Sequence, residues 1–290
     1  MESLNKKIKS NKSIIMYLSP AGTTRKVAGF ISKSLINKGY NTQLFDLGKS
    51  DLQKNLKDAI DQLEKNDCLW IGSPIYAGHA VPPIESFVSD LSQVQDVFAV
   101  PFVTYGAVTS GTGLYEMAIQ LSKKGYIIPG AAKILAVHSL LWFSGDPLGK
   151  GHPDPDDEKL LDDLVTLVQT KIGSHDLEKN IDLATLNYQS KKVQEHTKTW
   201  NLKELQRNMP PIIYNEEKCT VCGMCVENCP VQNISFETFP KIGTNCILCF
   251  NCIRYCESKA LTNTVLNVLE NLIRDRVKEI EEPMESKIFF

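Results

Sequence analysis

The chain has 290 residues, of which 42% are hydrophobic and 23% charged, with a formal net charge of −2 at pH 7. This length suits two domains better than one, and the composition is that of a globular protein able to bury a core. The near-neutral charge excludes strong non-specific attraction to nucleic acid. No segment approaches the roughly 18 apolar residues of a membrane span, and the first residues lack a secretory signal. We therefore expect a cytoplasmic protein with no membrane or nucleic-acid partner.

The first predicted element is a short buried strand from Ser13 to Leu18. The polar loop Ser19-Pro-Ala-Gly-Thr-Thr24 follows it directly, and apolar residues then recur at helical spacing until Gly39. At such a junction, free backbone N–H groups and hydroxyls converge on one point, which suits an anion. The sequence therefore indicates a phosphate-binding loop, and an ordinary turn is the alternative.

Short strands and amphipathic helices continue to alternate along the chain. Further strands are predicted over 42–46, 68–71, 97–103 and 134–137, and helices over 51–64, over 114–121 and from about residue 156. This alternation is typical of a parallel sheet covered by helices on both faces. We interpret residues 1–173 as one doubly wound α/β domain with five parallel strands.

Two more unusual loops follow the third and fourth predicted strands, at the edge where such sheets bind their ligands. They read Gly72-Ser-Pro-Ile-Tyr-Ala-Gly78 and Thr104-Tyr-Gly106. With the first loop, they resemble the flavodoxin-like family, which implies the strand order 2-1-3-4-5 and an FMN site. The resemblance assigns the FMN phosphate to Ser19, Ala21, Gly22, Thr23 and Thr24, and the flavin ring to Pro74, Ile75, Tyr76, Ala77, Gly78, Thr104, Tyr105 and Gly106.

Two features of this domain depart from a plain flavodoxin pattern. Ala21 stands where flavodoxins often have threonine, so one phosphate-binding hydroxyl is absent. The segment from His138 to Pro155 is longer than a simple connection, and such loops inside compact domains are usually functional or disordered. Of the five histidines, His138 and His152 in this segment are the strongest candidates for a role, although a solvated loop histidine is the commoner case.

Eight of the nine cysteines form two runs near the C-terminus, each spaced CxxCxxCxxxC. Each cysteine of the second run stands 27 residues after its counterpart in the first, so the array is an internal repeat. In a reducing compartment, such spacing indicates metal ligands rather than disulfides. Zinc is the alternative metal, but a tetrahedral zinc site would not require the third cysteine of each run.

This stretch resembles the bacterial dicluster ferredoxins over its whole length, and that resemblance implies two [4Fe-4S] clusters. Three cysteines of one run and the fourth of the other would hold each cluster. The implied sets are Cys219, Cys222, Cys225 and Cys256 for one cluster, and Cys246, Cys249, Cys252 and Cys229 for the other. Glu257 follows the last cysteine where the pattern has proline, which leaves the ligands intact.

The predicted order is therefore a flavodoxin-like FMN domain over 1–173, a linker over 174–211, a small α+β dicluster ferredoxin domain over 212–263, and a C-terminal helix and tail over 264–290. This order resembles the ferredoxin-flavodoxin fusion family of anaerobic bacteria and archaea, whose members are electron-transfer proteins.

The main functional hypothesis is electron transfer between the clusters and FMN, which would couple a one-electron, ferredoxin-type donor to an external redox partner. One alternative is a flavin-dependent reductase of a small substrate fed by the clusters, with a pocket lined by His79, His138 or Trp142. Another is a redox-sensing or binding module. Whether the protein is an enzyme stays open, as does whether the facing domains belong to one chain or to two chains of a homodimer.

Overall fold

The structure is a computed structural model that describes residues 11–49, 53–174 and 180–290. Its first part contains, in chain order, β1 (Lys12–Tyr17), α1 (Thr23–Asn37), β2 (Asn41–Asp46), α2 (Gln53–Asp61), β3 (Cys68–Tyr76), β4 (His79–Ala80), α3 (Pro82–Asp90), β5 (Phe98–Tyr105), α4 (Gly113–Lys123), β6 (Ala131–Leu135) and α5 (Pro155–Gly173). The helix predicted over 51–64 is present as α2, and its predicted first two residues lie outside the described residues.

Five parallel strands form the sheet in the order β2-β1-β3-β5-β6. Counted along the chain, these strands stand in the order 2-1-3-4-5, which confirms the predicted order. Helices α1 and α5 pack on one face of the sheet, and α2, α3 and α4 pack on the other. This arrangement confirms the doubly wound α/β class. Strand order reverses between β1 and β3, so a crevice is expected at their carboxyl ends.

Helix α3 was not predicted from the sequence. Pro82 and Pro83 occupy its first turn, where their missing N–H groups forfeit no intrahelical hydrogen bond. Ile84 and Val88 lie one turn apart and are buried. Two buried positions in nine residues give a weak periodic signal, which is why the pattern did not reveal the helix.

The C-terminal tail completes this sheet. Strand β11 (Lys287–Phe289) pairs antiparallel with β6 and covers that edge. Just before it, the Glu282 carboxylate forms an ion pair of 3.1 Å with Lys133 of β6, and both side chains are buried. The tail is therefore part of the flavodoxin-like fold rather than an extension of the cysteine-rich region.

Between the two regions, residues 180–211 form a 3-10 turn (Leu183–Leu186) and the helices α6 (Lys191–Thr199) and α7 (Leu202–Asn208). Ile181 donates its N–H to the Ile128 carbonyl at 2.8 Å. Leu186 and Leu202 are buried in the core on the α3–α4 side of the sheet. This segment, which the sequence assigned to a linker, therefore lies along the first domain.

The cysteine-rich region is a small α+β unit, and its elements are β7 (Ile213–Tyr214), α8 (Met224–Glu227), β8 (Ile234–Phe236), β9 (Pro240–Ile242), α9 (Asn251–Arg254) and β10 (Leu261–Thr262). β7 pairs antiparallel with β10, and β8 with β9. Helix α9 begins 27 residues after α8 (224 to 251), so the sequence repeat is also a structural one. Helix α10 (Leu269–Ile280) follows. Among the described residues, no helix is both long and apolar enough to cross a membrane.

Candidate functional site

The three loops singled out by the sequence meet at one cavity of about 570 Å³ at the carboxyl ends of β1, β3 and β5. Most of the residues predicted to hold FMN line this cavity: Ala21, Thr23, Thr24, Pro74, Ile75, Tyr76, Ala77, Gly78, Thr104, Tyr105 and Gly106. Ser19 and Gly22 of the predicted set do not line it. The fold thus brings together three segments that are far apart along the chain.

The first loop has the local geometry of an anion site. Gly22 caps α1 with φ +84°, a left-handed conformation that favours glycine. The Ser19 hydroxyl accepts the Arg25 N–H at 2.9 Å, which satisfies one donor of the first turn. That turn contains no acidic residue, so the positive end of the helix dipole is not neutralised. A phosphate fits these groups, and Ala21 contributes no hydroxyl.

Hydrogen bonds and close packing fix the other two loops. The Thr24 and Thr104 hydroxyls lie 2.8 Å apart, which joins the first loop to the third. Gly78 has φ +85°, and a Cβ atom there would lie 2.4 Å from Cγ2 of Thr197 in α6. The second loop therefore packs so closely against α6 that only glycine fits. The cavity walls are held in place before any ligand binds.

Two tyrosines in these loops differ in how their hydroxyls are satisfied. The Tyr105 hydroxyl donates toward the Glu285 carbonyl at 2.9 Å and accepts the Glu285 N–H at 3.0 Å, so the C-terminal tail holds this ring. The Tyr76 hydroxyl is buried without a hydrogen-bond partner among the described residues. Burial raises the pKa of Tyr76, a negative charge on the nearby Cys249 raises it further, and the nearby Ser139 side chain opposes this rise.

Of the histidines that the sequence raised as candidates, only His138 lines the cavity. Burial lowers the pKa of His138 to about 4, so the ring is neutral near pH 7. Its Nδ1 atom accepts the Leu140 N–H at 3.3 Å, which leaves the proton on Nε2. A neutral imidazole at this position can donate one hydrogen bond to a bound ring or substrate.

The other candidates have structural surroundings. His79 bonds Glu116 through Nδ1 at 2.9 Å and the Thr197 carbonyl through Nε2 at 2.8 Å, so both ring nitrogens are engaged. His152 bonds the buried Asp157 at 2.7 Å beside the start of α5. Trp142 packs edge-on against Phe143 and does not line the cavity.

The far wall of the cavity was not predicted. It consists of side chains from α7 and the residues flanking it, from the 3-10 turn before α10, and from α10: Trp200, Leu202, Leu205, Met209, Val265, Leu269, Leu272, Ile273, Asp275, Arg276 and Glu279. We call this wall the roof. The apolar spacing of α10 indicated one buried face, but not what that face covers. Arg276 is the one Lys or Arg among the described lining residues, and its guanidinium lies 4.5 Å from the centre of the Trp200 ring.

The first cysteine group comprises Cys219, Cys222, Cys225 and Cys256. These four side chains line one small hollow together with Tyr214 of β7. The set combines three cysteines of the first run with the last cysteine of the second, as the ferredoxin resemblance implied. The structure therefore brings the residues predicted for one cluster to a single point, with sulfur donors that suit iron.

The second cysteine group comprises Cys229, Cys246, Cys249 and Cys252. Burial, together with charges on the neighbouring Cys246 and Cys229, raises the pKa of Cys252 to about 12. The Asn233 N–H donates to the Cys229 sulfur at 3.2 Å, and the Leu248 N–H donates to the Cys246 sulfur at 3.3 Å. Buried thiolates need a cation, and a cluster with bound iron would supply it.

The two cysteine groups differ in which of their neighbouring residues line the cavity. No cysteine of either group lines the cavity, but Ile247 and Leu248, between two cysteines of the second group, do, whereas none of the residues that line the hollow of the first group does. The Asn251 side chain donates to the Pro20 carbonyl in the predicted phosphate loop at 2.8 Å. The second group therefore lies against the flavodoxin-like domain. In the first group, Cys222 is exposed.

Residues 212–235 match the 4Fe-4S binding domain family. No curated protein matches the chain. Among solved structures, the chain is similar to a rubredoxin oxygen:oxidoreductase from the anaerobe Desulfovibrio gigas, at 18% identity over 56% of this chain and 36% of that chain, with a TM-score of 0.45. A flavodoxin from the domain Archaea matches at 20% identity over 56% of this chain and 99% of its own, with a TM-score of 0.42.

The two-electron reduced flavodoxin of Megasphaera elsdenii is similar at 17% identity over 53% of this chain and 96% of its own, with a TM-score of 0.39. The match to the oxidoreductase spans about a third of that protein. At these identities and TM-scores, the likenesses carry no argument about what the chain binds. The strand order of the sheet itself defines a flavodoxin-like domain. The chain thus joins such a domain to a 4Fe-4S binding domain, as the predicted fusion requires, and this pairing is that of a redox protein that transfers electrons.

Proposed function

We propose that this protein carries electrons between two [4Fe-4S] clusters and FMN, and that it exchanges them with an external redox protein of the ferredoxin type. One observation carries the proposal: Ile247 and Leu248, which lie between Cys246 and Cys249, line the same cavity as the three flavodoxin-type loops. Iron–sulfur clusters exchange single electrons, whereas FMN holds one or two. The arrangement suits exchange between one-electron carriers and a two-electron reaction.

Each cofactor is assigned to residues that fit it. The first and second cysteine groups each hold one cluster through four thiolates. The loop from Ser19 to Thr24 holds the FMN phosphate through backbone N–H groups and hydroxyls. The loops at 74–78 and 104–106 hold the flavin ring, and His138 offers it a neutral N–H donor. The apolar side chains of the roof reduce the contact of the ring with water, which strengthens these polar contacts.

The positions of the two cysteine groups suggest the order in which the three cofactors exchange electrons. The first group includes the exposed Cys222, so an external protein can approach it. Residues of the second group's run line the cavity, and the Asn251 side chain bonds that run to the predicted phosphate loop. In this proposal, electrons pass from the partner to the first group, then to the second group, then to the flavin, or in the reverse order.

Both domains of a single chain take part in this path, so transfer needs no second copy of the protein. The proposal includes a cytoplasmic location and an anaerobic setting, since exposed [4Fe-4S] clusters are held by thiolates that oxygen attacks. It includes no membrane or nucleic-acid partner.

The proposal is tested by anaerobic reconstitution of the full chain with iron, sulfide and FMN, followed by stopped-flow mixing with a reduced ferredoxin. Flavin reduction is followed in the wild type and in Cys249→Ser and Cys222→Ser variants. We expect both variants to slow the flavin signal, and Cys249→Ser to slow it more, because it removes a ligand of the group next to the cavity. Flavin reduction at the wild-type rate in both variants would overturn the proposal.

The roof also favours a second candidate function, a reductase of a small substrate. An open flavin edge would suit a simple carrier, whereas here Leu205, Leu272 and Arg276 face the cavity opposite the flavin loops. A substrate held there would meet apolar contacts, the Arg276 guanidinium paired with Glu279 at 2.7 Å, and the Asp275 carboxylate. Reduced protein is mixed with a panel of small oxidants in the absence of other redox proteins. Rapid reoxidation that Leu272→Trp suppresses, with cluster content unchanged, would support the reductase; uniformly slow reoxidation would exclude it.

A redox-sensing module that has lost one cofactor is the remaining alternative. Purified protein that takes up both clusters and binds FMN stoichiometrically would exclude this alternative. Failure to bind FMN after anaerobic incubation would favour it.

A further inference from the structure

Five buried side-chain nitrogen or oxygen atoms lack a hydrogen-bond partner among the described residues, and two of them are phenol hydroxyls, those of Tyr76 and Tyr214. Buried polar atoms normally have a partner. Leaving one unpaired costs about 1–3 kcal/mol. The Ser139 hydroxyl lies near that of Tyr76, and Cys219 lies near that of Tyr214, but neither pair forms a hydrogen bond of normal geometry. An acceptor supplied by a bound group would satisfy both hydroxyls.

Tyr214 lies in the hollow of the first cysteine group. Its strand, β7, pairs with β10 and places Tyr214 opposite Leu261. Its ring packs against Phe239, with 6.0 Å between the ring centres. These contacts hold the phenol in the wall of a hollow whose other polar atoms include four cysteine sulfurs.

Tyr76 has the corresponding position at the second cysteine group. It ends β3 and lines the cavity, as does Leu248, the residue that precedes Cys249. Tyr76, Leu248 and Cys249 pack against the same apolar core. A charge on Cys249 acts on the Tyr76 phenol, so the phenol is near the second group, and its hydroxyl is buried.

We propose that the two hydroxyls donate hydrogen bonds to sulfur atoms of the two [4Fe-4S] clusters, Tyr214 at the first cysteine group and Tyr76 at the second. This inference rests on the proposed function, since it requires that both clusters form. Thiolate and sulfide sulfurs accept hydrogen bonds, and such bonds help to set cluster potentials. Reduction adds one negative charge to a cluster, so a donor stabilises the reduced state more and raises the reduction potential.

The two phenols come from different domains, and this gives Tyr76 a distinct role. Tyr214 belongs to the cysteine-rich region itself, whereas Tyr76 belongs to a loop of the flavodoxin-like domain. The domain that holds the flavin thus raises the potential of the cluster next to it. That effect exists only while the two domains are docked, so docking and the driving force for electron transfer are coupled.

The test compares Tyr76→Phe, Tyr214→Phe and the double variant with the wild type, each as the reconstituted full chain. Phenylalanine keeps the ring and removes only the hydroxyl. Potentiometric titration followed by EPR gives the two cluster potentials, and visible absorption gives the flavin potential. We expect each single variant to lower the reduction potential of one cluster by up to about 59 mV, which is a tenfold change in the equilibrium constant of a one-electron reduction. The double variant lowers both, and each single variant is the control for the other.

A second readout reports the hydrogen bonds directly. Exchange into D2O is expected to shift iron–sulfur stretching bands in the resonance Raman spectrum of the wild type, with part of the shift lost in each variant. A wild-type protein that fails to assemble two clusters overturns the proposed function, and this inference with it. Two clusters with unchanged potentials and unchanged isotope shifts in both variants overturn the inference alone. A Tyr76→Phe change confined to the flavin potential assigns that hydroxyl to the ring and overturns its role at the cluster.

Discussion

Replacing Glu282 with glutamine tests how the C-terminal tail is held on the flavodoxin-like domain. The Glu282 side chain is 5% exposed and that of its partner Lys133 is 3% exposed, with 3.1 Å between Oε1 and Nζ. The carboxylate also accepts the Thr109 hydroxyl at 2.7 Å, the Ser110 N–H at 2.9 Å and the Gln189 side-chain amide at 2.9 Å. Every one of these partners is a donor, so the site is built for a negative charge.

Glu282→Gln keeps the shape of the side chain but leaves the Lys133 charge buried without a counter-ion. Breaking a buried ion pair in this way costs about 3–5 kcal/mol. We expect a loss of roughly that size from the free energy of unfolding. The matched control is Glu281→Gln, because Glu281 is the preceding residue and is exposed. Exposed substitutions of this kind change stability by about 0.5 kcal/mol or less.

The measurement is urea unfolding of both variants and the wild type, followed anaerobically by far-ultraviolet circular dichroism. The slopes of the three transitions should agree, so that midpoints report stability. A Glu282→Gln variant that lies within 1 kcal/mol of Glu281→Gln would refute the reasoning. In that case the buried pair would not anchor the tail, and β11 alone would hold it.

Three further outcomes are expected. The hydrogen bond to Glu116 raises the pKa of His79 to about 9. The stabilisation from protonated His79 is therefore complete below the ordinary pKa of about 6.5 and is lost as pH rises through 9. Over this range, the melting temperature of the wild type should fall toward that of His79→Gln, and a difference in melting temperature that does not change with pH would contradict this. Gly78→Ala should weaken FMN binding in fluorescence titrations, because the new Cβ meets Thr197 at 2.4 Å from a backbone with φ +85°; an unchanged Kd would count against it. Asn251→Ala removes bonds to the Pro20 and Asn228 carbonyls and should slow flavin reduction with iron content unchanged; a wild-type rate would show that this contact does not position the second cysteine group.

The positions of the binding loops and of the cysteine groups could be predicted because each depends on residues within a short, contiguous motif. The loop from Ser19 to Thr24 follows a buried strand, and the carboxyl ends of parallel strands share one edge, so three distant loops had to meet. The 27-residue offset between the cysteine runs predicts that each run forms the same local structure, and α8 and α9 begin 27 residues apart. The assignments of FMN and of individual cluster ligands to these residues stay predictions.

The roof and the tail could not be predicted for a physical reason. The apolar spacing of α10 predicts one buried face, and Leu269 and Ile273 are buried whereas Leu272 is exposed. Periodicity does not say what that face packs against. Strand β11 contains three residues, too few for an alternating pattern. Trp200 lies in a polar segment, and only the packing of α6 and α7 along the first domain brings it to the cavity.

The central claim is that the second cysteine group and the flavin exchange electrons within one chain. The most direct measurement is flash reduction of the reconstituted protein by less than one electron per molecule, followed at the iron–sulfur and flavin absorption bands over a dilution series. The account predicts that the iron–sulfur signal decays as the flavin signal grows, at one rate that is the same at every protein concentration. A rate that falls in proportion to dilution, or a flavin signal that never follows the iron–sulfur signal, would contradict it.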